Sequence, residues 1–84
     1  MERTRTYRGI SVRAAVHYLT GLGGEATDGR TVTGDGWEAR LDVDTVEVGP
    51  SLALTEVTVR FRGDDEVVPG VVEAFSKKAV RAGG

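Results

Sequence analysis

Apolar and polar residues alternate one by one through much of the stretch from Trp37 to Gly63, which predicts β-strands with one face on a core and one in water. Its longest part is Ser51 to Gly63, where Val57, Val59 and Phe61 alternate with Thr58, Arg60 and Arg62. Leu52 and Leu54 fall on the opposite parity. One extra residue near Thr55-Glu56, a β-bulge, would restore a common face; the alternative is a strand covered on both sides over its first half. Just upstream, Trp37, Ala39, Leu41 and Val43 alternate with Glu38, Arg40, Asp42 and Asp44, and Val46 and Val48 follow. A two-residue turn at Asp44-Thr45 would set Val43 opposite Val46 and gather all six apolar residues on one face. Glu38, Asp42 and Glu47 would then lie together on the other face, as solvated sheet acids.

The period changes to that of a helix on either side. After Ser11, a good N-cap, Val12, Ala15, Val16, Leu19 and Leu22 form one amphipathic stripe, which Gly21, Gly23 and Gly24 end. Val68, Val71, Val72, Phe75, Ala79 and Ala82 form a second stripe. Pro69 is tolerated only in a first turn, so regular helix is expected from near Glu66 to Pro69 onward. Asp64, Asp65 and Glu66 ahead of it, with Lys77, Lys78 and Arg81 toward its end, suit the helix dipole.

Short elements fill the rest. Residues 1–8 read as a polar edge strand or a mobile arm. Asp28-Gly29 marks a hairpin turn between Glu25 to Thr27 and Arg30 to Thr33, and Gly34-Asp35-Gly36 marks a second turn. Together these predict an α+β fold, a two-layer sandwich with an antiparallel sheet of four or five strands and two helices on one face. Residues 1–84 are expected to form a single domain, its core adequate but thin.

Composition mainly removes function classes. There is no cysteine, so no disulfide framework, thiolate metal site or Cys nucleophile is available. His17 stands alone beside the first helix stripe and is expected to be a surface residue. The glycines match neither GxGxxG nor GxxxxGK[ST] and read as turns. Trp37, on an in-facing strand position, is expected in the core. With no nucleophile spaced to a base, no enzyme activity, cofactor or metal is expected. A net charge of −2 gives no reason to expect nucleic acid, no stretch approaches the length of a membrane span, and the amino terminus lacks a signal-peptide core. A cytoplasmic protein is the expectation.

What remains is a surface. The sheet face turned from the helices should carry Arg40, Thr58, Arg60 and Arg62, and these are the candidate residues for meeting a protein partner or a second copy. A separate reading groups Arg3, Arg5, Arg8, Arg60 and Arg62 as a site for a small anion or nucleic acid, provided the amino-terminal arm pairs beside the central strand and aligns them.

The segments YRGISVRAAVHYLTGLGGE, DGW, GPSLALTEVTVRF and EAFSKKAVRAGG together resemble the archaeal MoaD-related, C-terminal domain family, an accessory module of molybdopterin synthase small-subunit relatives. The likeness runs from about Tyr7 to Gly84. It implies a non-catalytic accessory or protein-interaction module linked to molybdopterin cofactor biosynthesis or sulfur transfer, and it carries no catalytic signature. A stand-alone chain of 84 residues is not expected to hold a ubiquitin-like half as well. The terminal Gly83-Gly84 supports an alternative, a ubiquitin-like modifier or sulfur carrier activated at its carboxylate. It follows a basic helical end, however, where glycine is an expected terminator.

Overall fold

A computed structural model describes residues 1–83, with side chains through residue 80. The elements run β1 (Glu2–Arg8), α1 (Val12–Gly21), β2 (Glu25–Asp28), β3 (Thr31–Gly34), β4 (Trp37–Glu47), β5 (Ala53–Gly63) and α2 (Val68–Gly83). The five strands form one antiparallel sheet in the order β1-β5-β4-β3-β2. β5, the strand that dominates the sequence pattern, lies between β4 and β1. The amino-terminal segment is therefore an edge strand along its length, not a free arm.

One parity of each strand faces the helices. Ala39, Leu41, Val57, Val59 and Phe61 are buried on that face, and Val32 joins them from β3. α1 contributes Ala15 and Leu19, and α2 contributes Val68, Val72, Phe75 and Ala79. Phe75 is the aromatic hub, with its ring centroid 5.1 Å from Tyr7, 5.8 Å from Phe61 and 6.3 Å from Tyr18, each edge-to-face. Trp37 is 6% exposed and belongs to this core. The Ser11 hydroxyl caps α1 by accepting from the Ala14 amide at 3.0 Å.

Three local expectations are corrected. There is no turn at Asp44-Thr45; β4 continues straight to Glu47, and Thr45 pairs with Thr55, Val46 with Leu54 and Glu47 with Ala53. There is no bulge at Thr55-Glu56 either, because the β4–β5 register is unbroken from Trp37↔Gly63 to Glu47↔Ala53. The two parity breaks cancel each other: Val46 and Leu54 both change face and meet as a cross-strand pair. Eleven continuous ladder pairs satisfy the backbone, whereas a turn and a bulge would interrupt that ladder to bring Val46, Val48, Leu52 and Leu54 to the helix side. Glu47 consequently falls on the helix-side parity and leaves Glu38 and Asp42 on the other. Leu52, 58% exposed, is not covered on either side. In the first hairpin the turn is at Gly29-Arg30, one residue later than expected, and a register shift between Ala26 and Asp28 absorbs the offset.

Asp35-Gly36 makes the next turn, with Gly36 at φ +81. Gly63 takes φ +151 beside it, where a Cβ would strike the Gly36 carbonyl and the Trp37 backbone. That close approach lets Asp64 donate its amide to Gly36 at 2.9 Å and starts the return of the chain into α2.

Candidate functional site

Both helices pack on one side of the sheet, so the even-numbered positions of β1, β4 and β5 form an open face whose rows can be read from the register. The first row is Glu2, Arg62, Glu38 and Thr33; the second is Thr4, Arg60, Arg40 and Thr31. Next come Thr6, Thr58 and Asp42, then Arg8, Glu56 and Asp44, and finally Leu54 and Val46. All four candidate residues, Arg40, Thr58, Arg60 and Arg62, therefore share one face on adjacent strands. Thr58 is half-buried and the arginines are exposed.

Their charges are compensated unequally. Arg62 lies between two acids, with its Nε 3.7 Å from a Glu2 carboxylate oxygen and Glu38 opposite it. Arg40 reaches back to Glu38 at 3.3 Å, and Arg8 binds Glu56 at 2.9 Å. Arg60 makes no ion pair among the described residues and sits directly across from Arg40. Two like charges opposite each other on a sheet destabilise it. Two guanidinium forks side by side can instead grip a carboxylate or phosphate from a partner.

Arg30 joins this pair and was not foreseen from the sequence. The turn that holds it is tied to β4 by a 2.8 Å bond from the Leu41 amide to the Arg30 carbonyl, and Arg30, Arg40 and Arg60 line one shallow depression of about 650 Å³ with Thr31, Asp28 and Asp42. Only the β3–β4 register discloses this neighbourhood; no spacing along the chain marks it.

The five-arginine grouping is overturned. β1 does pair beside β5, but Arg3 lies opposite Phe61 and Arg5 opposite Val59, on the helix side of the sheet. Only Arg8 shares the open face with Arg60 and Arg62. His17 is exposed on α1, and among the described residues no group of three or more His, Asp or Glu is gathered as for a metal. No helix among them is long and apolar enough to cross a membrane. Of the terminal diglycine, Gly83 is the last residue of α2, and Gly84 lies outside the described residues.

A family model described as archaeal MoaD-like protein matches residues 3–84, nearly the whole chain. Comparison with curated proteins finds no match.

Proposed function

Because the chain belongs to the archaeal MoaD-like protein family, we propose that it acts as a non-catalytic accessory and protein-interaction module in the cytoplasm, linked to molybdopterin cofactor biosynthesis or sulfur transfer. The observation that carries the interaction role is the Arg40-Arg60 pair on the two inner strands of the open sheet face, in which Arg60 has no acidic partner among the described residues. Its position suits a partner that presents a carboxylate-rich surface. Thr58, one row away, adds a hydroxyl, and its Oγ1 lies 3.4 Å from that of Thr6. The link to cofactor chemistry rests on the family alone.

The test is a binding titration of the purified chain against the molybdopterin synthase partner subunit and the E1-like activating enzyme from the same source. Arg60→Glu should weaken capture of the true partner by about tenfold or more, because it replaces an attraction with a repulsion at the centre of the contact. Deleting Gly83 and Gly84 should leave that affinity unchanged. Binding that survives Arg60→Glu would sink the role of this face. Formation of an ATP-dependent adenylate on Gly84 would replace the accessory role with that of a carrier.

A further inference from the structure

We propose that the outer edge of β1 is an interface with a second copy of this chain, joining two five-stranded sheets into one of ten strands. This edge borders the open face and shares Glu2 and Arg8 with its margin, but it does not depend on the role of Arg40 and Arg60. The Met1 amino-terminal ammonium donates to the Gly63 carbonyl at 3.0 Å and the Gly63 amide donates to the Met1 carbonyl at 3.1 Å, while the Gly9 amide donates to the Thr55 carbonyl at 2.9 Å. In an antiparallel ladder such mutually bonded pairs alternate with pairs whose groups point away. Odd-numbered residues of β1 therefore bond to β5, and Glu2, Thr4, Thr6 and Arg8 aim their N–H and C=O groups outward. Among the described residues no strand lies beyond β1 to receive them. An edge of seven residues without proline, glycine or bulge is a template for another strand.

The side chains indicate which strand. When β1 is laid antiparallel against itself about a two-fold axis at Arg5, the outward groups meet in hydrogen-bonded pairs, Glu2 with Arg8 of the other copy and Thr4 with Thr6 of the other copy. Symmetry repeats each pair. Opposite charges and Thr-Thr pairs in direct register are favourable cross-strand combinations. On the helix side Arg3 comes opposite Tyr7 of the other copy, an arginine near an aromatic ring. The discordant pair is Arg5 with itself on the axis; the acid nearest to hand is Glu73 of α2, which lines the same groove as Arg3 and Arg5 and pairs with Lys77 at 3.3 Å. At present the Arg5 guanidinium donates to the outward Thr4 carbonyl at 3.0 Å, an exposed bond that exchanges for the Thr6 amide of the second copy. The same axis sets the two α2 helices side by side and antiparallel, where Glu73, Lys77 and the 67% exposed Val80 form one outward stripe. The opposite edge is poorer. β2 has four residues, both of its charged residues acidic, and a register shift.

The experiment is sedimentation velocity on the full chain over a concentration series to about 1 mM, the weak end of specific association. The wild type should show a reversible monomer–dimer equilibrium. Thr4→Pro removes only an outward N–H and leaves the β1–β5 ladder whole, so it should keep the native circular dichroism and weaken dimerisation at least tenfold. Glu2→Arg should weaken it about tenfold through two reversed pairs, and Glu2→Arg with Arg8→Glu should recover part of that loss, since the swap also sets like charges against Arg62 and Glu56 within each sheet. The idea is overturned by a wild type that stays monomeric throughout, by a dimer indifferent to Thr4→Pro and to the charge swap, or by open-ended polymers, which would mean β1 pairing with β2 of the next copy.

Discussion

Replacing Arg60 with threonine should make the isolated protein more stable while weakening its hold on a partner. Arg60 and Arg40 are direct cross-strand neighbours, with Cβ atoms about 5 Å apart in such pairs. Two unit charges at that distance in water repel by about 0.8 kcal/mol. Long, flexible side chains let the two charges keep farther apart than their Cβ atoms, and Glu38, 3.3 Å from the Arg40 Nε, offsets part of the repulsion. A net relief of about 0.3 to 0.5 kcal/mol remains, and threonine suits a strand at least as well as arginine. In a domain of this size that is a rise of about 2 to 3 °C in Tm, or of about 0.3 to 0.5 M in the urea midpoint. Arg62→Thr is the control. It removes the same chemical group one row away, where Glu2 and Glu38 flank it, and should leave stability unchanged or slightly lower. Urea melts of the three proteins, read beside the binding titration, give a decisive pattern of signs. An Arg60→Thr protein less stable than the wild type would refute the reasoning, since it would mean that the arginine stem supports the sheet.

The core and the turns give sharper losses. Phe75→Ala should cost about 3 to 5 kcal/mol in a denaturant melt, because the ring is fully buried and has three aromatic neighbours; that is a large part of the stability of a small domain. Gly63→Ala should cost about 3 kcal/mol or more, the added Cβ meeting the Gly36 carbonyl at a backbone angle that alanine avoids; a fully folded variant with an unchanged Tm would contradict the geometry. Ser11→Ala should lower stability by about 1 kcal/mol through loss of the α1 cap, and Ser11→Asp should retain most of it.

By itself the sequence determined the two helices, the one-sided sheet and most of the core, because each follows from a local period. Ser11 and the stripe Val12, Ala15, Val16, Leu19 specify α1; Val57, Val59 and Phe61 specify the buried face of β5. Only the tertiary structure decided the rest. The expected turn and bulge were each the simplest repair of a parity break viewed on one strand. The actual resolution pairs Val46 with Leu54 across two strands, which is visible only once both are in register, since an unbroken ladder outweighs the burial of a few side chains at its end. The candidate surface divides the same way. Alternation puts Arg40, Thr58, Arg60 and Arg62 on a polar face, but which arginines meet depends on strand order. That order sets Arg40 against Arg60, brings in Arg30, and sends Arg3 and Arg5 to the helix side, because neighbours in a sheet are chosen by pairing across it and not by distance along the chain.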